Sequence, residues 1–459
     1  MKLSTIKSTW LAKGGFRLDC SPYLGGAIET EILLEELPVR KDSLGSVTNA
    51  IYHAGRESRQ WVDEPEYGVR FLGAGQLQRA DFSELPFISR SQVASTPAFI
   101  VRKSWTLITR SGTIGKMAYC RPEMDGLAVS EDVLRVVPDE QQIPPGYLYA
   151  FLSSKFGVPL ITSGTYGAII QHLEPAHITG LSVPRFGDAT EQEIHILVEE
   201  AARLRSEASV NFSEALQDYH RTSGLDESDL STDQKLTGSV LSNQLEGRLD
   251  TNFHRPYHLQ ALRPYRAGKV KSKTVGAFAS AIIEPARFKR IEINDPSGVD
   301  FFGTGTLGDA DPQPMYQIAA GTWVDPYRVH SETLLVPRSG QIYGIIGTAY
   351  QAIGRVLDAA VTEDAIRIHC PTPQVAGYLY LALRSPFGLR QLKARCFGGS
   401  IPHLDVHHIR KVLVPDIADK EIKRLGDLAV SIAEKRTAAI NAESKARDLV
   451  ESQILQRHK

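Results

Sequence analysis

Ala128-Val129-Ser130-Glu131-Asp132, an apolar pair running into three polar residues, returns further along the chain as Ala360-Val361-Thr362-Glu363-Asp364. Sliding the sequence against itself at an offset of about 230 residues lines up more islands on either side, in the same order. Upstream, Arg110-Ser111-Gly112-Thr113-Ile114 faces Arg338-Ser339-Gly340-Gln341-Ile342, and Phe71-Leu72-Gly73-Ala74-Gly75-Gln76-Leu77 faces Phe301-Phe302-Gly303-Thr304-Gly305-Thr306-Leu307. Further upstream, Arg17-Leu18-Asp19 with Tyr23 faces Arg248-Leu249-Asp250 with Tyr257. Downstream, Gly146-Tyr147-Leu148-Tyr149 with Phe156-Gly157 repeats as Gly377-Tyr378-Leu379-Tyr380 with Phe387-Gly388. Tyr166-Gly167 and His172-Leu173 then face Phe397-Gly398 and His403-Leu404, and Leu181-Ser182-Val183-Pro184 faces Val412-Leu413-Val414-Pro415. So many collinear matches mean that one unit has been built twice. Between the islands the copies diverge, as in Gly55 to Gly68 against Ile282 to Asp300. A shared frame with unlike loops is how one fold comes to bind two different things; drift of idle loops is the alternative.

The pattern around the islands gives the fold class. Val101 to Ile108, Val133 to Val137, Thr333 to Pro337 and Ala365 to His369 are short β-branched runs bounded by Gly and Pro, and they read as strands of a mixed or antiparallel sheet. Gly146 to Ser154 and its copy read as short helices. After each unit the texture changes. Ile194, Leu197, Val198, Ala201, Leu204, Ala208, Phe212, Leu216 and Tyr219 recur at spacings of three and four, which predicts an amphipathic helix over Thr190 to Arg221 of about 45 Å at 1.5 Å per residue. Asp419 to Leu455 carries a like stripe through Ile422, Leu425, Leu428, Ile432, Ile440, Leu449 and Ile454. Neither stripe is stable in water, so the two helices are expected to pack as an antiparallel coiled coil and to act as a spacer. The expected organisation is α+β throughout: a first unit over 1–187, a long helix over 188–223, a polar linker over 224–241, a second unit over 242–417 and a second long helix over 418–456.

Composition narrows the class. A chain of 459 residues is too long for one core, and 42% hydrophobic with 23% charged residues is ordinary for a globular protein. No run of about 18 apolar residues is present to span a bilayer, and the N-terminal stretch lacks a signal-peptide core, so a cytoplasmic address and no membrane partner are expected. Cys20, Cys120, Cys370 and Cys396 are far apart, which excludes a paired-ligand zinc spacing and leaves them as buried thiols. The net charge of -1 is low for a partner of nucleic acid, yet nine basic residues against Glu284 alone between His254 and Arg290 make a local basic stretch.

Letter motifs for chemistry lack their contexts. Gly303 to Gly308 spells GxGxxG, but Asp311-Pro312 follows where a dinucleotide fold needs a helix, so the glycines read as turn residues. Gly112-Thr113-Ile114-Gly115-Lys116-Met117 lacks the first glycine and the hydroxyl of a P-loop, leaving a tight turn that presents Lys116. His403 and His407 share a face only if their segment is helical, and Pro402 argues that it is not, so no metal is expected. Glu131-Asp132 and Glu363-Asp364 read as scaffold residues at a polar break before a strand rather than as catalytic acids.

Taken with the helix after each copy, these islands resemble, over nearly the whole length, the specificity subunit of type I restriction-modification systems. The residues that carry the resemblance are Arg110 to Gly115, Ser130-Glu131-Asp132, the helix from Gly146, the Gly167 to Leu173 loop and the Leu-Ser-Val-Pro strand, with their second copies. Two departures stand out: the Arg-Leu-Asp and Phe-x-Gly-x-Gly landmarks, and a second copy that reads Gln341-Ile342-Tyr343-Gly344 where the first has its Gly115 turn. They admit a divergent, methylation-associated phage-defence system beside an ordinary type I one.

The resemblance implies a non-catalytic chain with two target recognition domains, each reading half of a split double-stranded DNA site. It implies two methyltransferase subunits as partners, S-adenosylmethionine bound by them and not by this chain, and a restriction or translocase subunit where the system also cuts. A scaffold without DNA, and a nuclease with an unrecognised active site, are the competing classes. Side chains suited to bases and phosphates in the loops are Arg56, Arg59, Gln60, Arg70, Arg90, Arg110, Lys116, Tyr166, Gln171 and His172 in the first copy. In the second they are Arg287, Lys289, Arg290, Tyr316, Arg338, Gln341, Tyr343, Arg395, Ser400 and His403.

Overall fold

A computed structural model describes residues 5–13, 16, 21–163, 172–230, 237–295 and 297–458. Arg17-Leu18-Asp19, Cys20, Tyr166, Gly167 and Gln171 lie outside the described residues. The chain forms two compact units, Met1–Ser206 with Ala438–Lys459, and Glu207–Thr437. Each unit therefore owns one copy of the duplicated frame together with a piece of each long helix.

In the first unit the strands are β1 (Lys41–Ser43), β2 (Thr48–Tyr52), β3 (Trp61–Val62), β4 (Gly68–Leu72), β5 (Phe87–Ser89), β6 (Thr106–Thr109), β7 (Met117–Tyr119), β8 (Ala128–Val129), β9 (Val133–Pro138) and β10 (Ser182–Pro184). In the second they are β11 (Ser272–Thr274), β12 (Ala281–Ile283), β13 (Glu292–Ile293), β14 (Val299–Phe302), β15 (Tyr316–Ile318), β16 (Thr333–Pro337), β17 (Tyr350–Gln351), β18 (Ala360–Val361), β19 (Ala365–His369) and β20 (Leu413–Pro415). The first unit orders its sheets β2-β9-β6-β7, β3-β5-β4-β8 and β1-β10; the second orders them β12-β19-β16-β17, β13-β15-β14-β18 and β11-β20. The topology is the same twice, strand for strand, down to the one parallel pair in each, β4 with β8 and β14 with β18. The run expected as a strand from Val101 begins only at Thr106. Val101 instead exchanges backbone bonds with Leu127 and Gly126, and Ser104 turns at φ 68°.

The Gly-Tyr-Leu-Tyr islands lie in the helices Pro145–Leu152 and Pro373–Arg384, and the glycine and first tyrosine of each have contacts that explain them. A Cβ on Gly377 would sit 2.6 Å from the Gly426 carbonyl oxygen, so glycine lets this helix touch the long helix Asp419–Arg457. Gly146 meets His195 of the helix Asp188–Ser223 in the same way and donates its N–H to Nδ1 at 3.0 Å. The Tyr147 and Tyr378 hydroxyls donate to the carbonyls of Pro184 and Pro415, tying each helix to its last strand. Gly377→Ala is expected to cost about 1–3 kcal/mol through overpacking, read as a fall in melting temperature of the purified chain.

The long helices were expected over 188–223 and 418–456, and they run Asp188–Ser223 and Asp419–Arg457. Within the second unit Glu207 pairs with Lys435 and Asp218 with Arg424, so the segments run antiparallel. Ala208, Phe212, Ala215 and Tyr219 share one core there with Ile422, Leu425, Ala429 and Ile432. Within the first unit Ile194, Val198 and Ala202 share a core with Ala446, Val450 and Ile454. Among the described residues, no helix is long and apolar enough to cross a membrane.

At matching positions of the two units an ion pair exchanges sign. Arg185 and Asp42 join β10 to β1 at 2.7 Å, and at the equivalent positions Asp416 and Lys273 join β20 to β11 at 2.9 Å with the charges reversed. Cys120, Cys370 and Cys396 are buried free thiols, and burial pushes Cys370 up to about 12 and Cys396 to about 11.

Candidate nucleic-acid interface

The Ser-Glu-Asp turn between β8 and β9, and the Thr-Glu-Asp turn between β18 and β19, organise the surface of each unit. Underneath lies an arginine the strand pattern half hides. Arg135 on β9 is fully buried and donates to the carbonyls of Ser130 at 2.9 Å, Val129 at 2.5 Å, Val133 at 2.5 Å and Phe99 at 3.3 Å. Arg367 on β19 does the same for Thr362 at 2.8 Å, Val361 at 2.5 Å and Ala365. Burial pulls both guanidinium groups down to about 10, still charged at neutral pH. A lone arginine inside an apolar strand, present in both copies, is the sequence signal that would have found them.

Each turn then reaches in two directions. Glu131 holds Arg59 at 2.9 Å, and the Arg59 guanidinium lies 4.9 Å over the Phe71 ring. Glu363 holds Arg290, whose guanidinium lies 4.7 Å over Phe301. Arg59 and Arg290 sit in the segments most divergent in sequence, yet they occupy one position of the fold. Asp132 accepts from the Ser111 hydroxyl at 2.6 Å, and Asp364 from Ser339 at 3.4 Å. Both acids of each turn are engaged within their own unit. Burial pushes the Glu363 carboxyl up, but its own amide and Arg290 outweigh it and leave the group below the usual carboxylate range.

The units fix these arginines by different means. In the first, the buried Gln92 accepts from the Gln60 N–H at 2.9 Å and donates to the Ser58 carbonyl at 2.7 Å, clamping the backbone on both sides of Arg59. In the second, the Tyr327 hydroxyl donates to the Ala286 carbonyl at 2.7 Å and its ring stacks on Phe288 at 3.7 Å.

Around Arg59 the structure gathers Arg56, Gln60, Arg70 and Arg90, all exposed; Arg70 lies 5.8 Å from the Phe87 ring and Arg90 donates to the Glu66 carbonyl at 3.2 Å. The exposed aromatics Trp61 and Tyr67 belong to the same sheet region and were not singled out by sequence. Around Arg290 it gathers Arg287, Lys289 and Tyr316, the last stacked on Phe301 at 5.2 Å. Of the basic stretch from His254, however, Arg266, Lys269 and Lys273 are engaged by Glu246, Asp229 and Asp416, so it is no continuous phosphate-facing surface.

Other expected contacts need correction. Arg395 is buried, 4% exposed, and held by Glu246 and the Lys411 carbonyl, because its helix packs that face into the core. Arg110 is spent internally: its side chain is 11% exposed, paired with Glu174 and donating to the Leu173 carbonyl at 3.1 Å. Arg338 pairs with Glu284 at 2.6 Å. Lys116, Gln341, Tyr343 and Ser400 are exposed, while His172 and His403 are half-buried.

His403 forms antiparallel bridges with Phe397 and Ser339, whereas His407 lies on the helix Val406–Arg410, so the two do not share a helix face. Among the described residues no group of His, Cys, Asp or Glu is placed to hold a metal. Gly303 is followed by a single 3-10 turn, Thr304–Thr306, matched by Ala74–Gln76 in the first unit, which makes these glycines turn residues.

No protein-family model matches the sequence, and no curated protein matches it. Among solved structures the chain is similar to a type I restriction-modification system S subunit from M. genitalium, at 13% identity over 92% of this chain and 96% of that one, with a TM-score of 0.39. It is also similar to the HsdS subunit from Thermoanaerobacter tengcongensis, at 14% identity over 92% and 97% with a TM-score of 0.28. A third similar chain, at 14% identity over 92% and 97% with a TM-score of 0.29, comes from a structure describing complex assembly and conformational transition of the type I R-M system.

Proposed function

We propose that the chain is a DNA sequence-specificity subunit without catalysis of its own. It binds a bipartite double-stranded target, half with each unit, and directs two partner methyltransferase subunits to it. S-adenosylmethionine belongs to those partners, and a restriction or translocase subunit joins where the system also cleaves.

The observation that carries this reading is a matched frame under unlike faces. Arg59, Phe71, Glu131 and Arg135 correspond to Arg290, Phe301, Glu363 and Arg367. On that frame one unit displays Arg56, Gln60, Arg70 and Arg90, the other Arg287, Lys289 and Tyr316. Identical supports carrying different hydrogen-bonding and aromatic groups suit two different half-sites, since base edges are told apart by donor and acceptor pattern. Lys116 and His172 extend the first face, and Gln341, Tyr343, Ser400 and His403 the second. The near-neutral net charge is consistent with partners that supply much of the phosphate contact.

Methylation-sensitive sequencing of host DNA, with the gene intact and deleted, tests the reading. Loss of one split motif on deletion is the expected result and names both half-sites. An unchanged methylome overturns methylation targeting.

A further inference from the structure

The two copies differ in one loop whose alignment by letters misleads. In the first unit the turn after β6 closes at Gly115, with φ 84° and its N–H on the Thr109 carbonyl at 3.0 Å. The second copy was expected to lack this turn. It has it, moved along the chain: Gly347, with φ 71°, donates to the Pro337 carbonyl at 3.0 Å. Thr109 and Pro337 are the same position, so the second loop reaches the same closure after four more residues, Ser339 to Ile346 standing where the first has Ser111 to Ile114. Tyr343 sits inside this extension.

Tyr343 is 90% exposed, the most exposed of the large apolar residues described. Its loop is nevertheless held at every side. Gly340 donates to the Pro402 carbonyl at 3.2 Å, Gln341 to the Ser400 carbonyl at 3.3 Å, Gly344 to the Gln341 carbonyl at 2.8 Å, and Lys393 Nζ to the Gly344 carbonyl at 2.5 Å. The loop it leans on brings Ile401, 60% exposed, and Phe397, 40% exposed. The nearby acids are engaged: Glu284 by Arg338, and Asp364 by Ser339. Lys393, bonded to the Gly344 carbonyl, is the cation beside the loop. An aromatic and an aliphatic residue presented on an anchored loop beside a lysine have the make-up of side chains that enter a DNA stack. Anchoring keeps the ordering cost of insertion low.

We infer that Tyr343, with Ile401 exposed on the loop that anchors its own, is a wedge that enters a base step of the second half-site and unstacks it; the shorter first-unit loop, Ser111 to Ile114, holds no aromatic residue. The inference rests on the DNA-reading role proposed above. Binding would then depend on how easily that step deforms as well as on contacts to base edges.

The test uses the full-length chain and duplexes recovered by it from a random-sequence pool. 2-Aminopurine is placed in turn at each position of the recovered half-sites. One position of one half-site is expected to brighten on binding of the parent protein, to stay dark with Tyr343→Ala, and to brighten again with Tyr343→Phe. Tyr343→Ala should also weaken binding by roughly tenfold, in line with the loss of one stacked base. If no position brightens, or Tyr343→Ala brightens it equally, the wedge is overturned and the recognition role stands. If no sequence is enriched from the pool, the recognition role fails and the wedge falls with it.

Discussion

Glu443→Gln is expected to lower the melting temperature of the first unit by roughly 10 °C, the equivalent of about 3–5 kcal/mol in a domain of this size. The carboxylate is buried between the two long helices, paired with Arg205, held by Arg447 at 2.6 Å and accepting from the Tyr149 hydroxyl at 2.8 Å. Removing its charge takes this carboxylate from both arginines. The second unit shows what the site looks like without a carboxylate. Tyr380 and Arg436 occupy the positions of Tyr149 and Arg205, bonded to each other at 3.1 Å, while Phe212 stands where Glu443 would be, with Arg436 5.6 Å over its ring. Phe212→Leu should therefore cost much less than Glu443→Gln.

The same carboxylate predicts a pH dependence. Burial pushes the Glu443 carboxyl up, but Arg205 and Arg447 outweigh it and hold the group at about 2, below its ordinary 4.5. A depressed acid stabilises the fold above its unfolded value and loses that contribution as pH falls through the window from about 4.5 to 2. The stabilisation lost is on the order of 3 kcal/mol. Urea unfolding of parent and Glu443→Gln at pH 7 and pH 3 checks it. Equal pH sensitivity of the two proteins would count against the arrangement.

Arg135→Met and Arg367→Met are the second pair of large effects. Each removes a guanidinium that donates to three or four inward-facing carbonyls; Ser130 and Thr362 keep the amides of Val133 and Ala365, and a buried carbonyl left without any donor costs about 1–3 kcal/mol. Several kcal/mol lost per variant is the expected sum, confined to the unit that carries it. Hydrogen exchange should report lost protection in β6 and β9 for Arg135→Met, and in β16 and β19 for Arg367→Met. Because the turn bearing Glu131 or Glu363 rests on that arginine, the proposed targeting role predicts that a split methylation motif written in the host is lost with either variant. Intact exchange protection in the affected strands would show that the carbonyls find water or other donors.

These examples mark where the chain was readable. The islands Ser130-Glu131-Asp132 and Gly146-Tyr147-Leu148-Tyr149 were visible because a turn and a helix crossing each need several particular residues in a row, and the duplication prints them twice. The long helices were visible because burial on one face imposes a 3.6-residue period that few other structures share. The equivalence of Arg59 with Arg290 was not visible, since it lies in segments that share neither length nor neighbours and are brought to one place only by strand pairing. Arg395 and Arg110 were misjudged for a related reason. An arginine near a loop reads as a surface cation until its own helix or strand turns it towards Glu246 or Glu174.

The amino-acid sequence by itself determined the α+β class, the paired islands that recur in one order and the two amphipathic helices. These follow from local periodicity and from short runs whose chemistry is satisfied nearby. Tertiary structure alone decided which arginines face solvent, that the Gly115 turn survives as Gly347 behind a four-residue extension, and that one buried ion centre in the first unit is a phenylalanine contact in the second. Those outcomes depend on which side chains meet across distant segments, and burial, ion pairing and loop closure are properties of such meetings rather than of any stretch of chain.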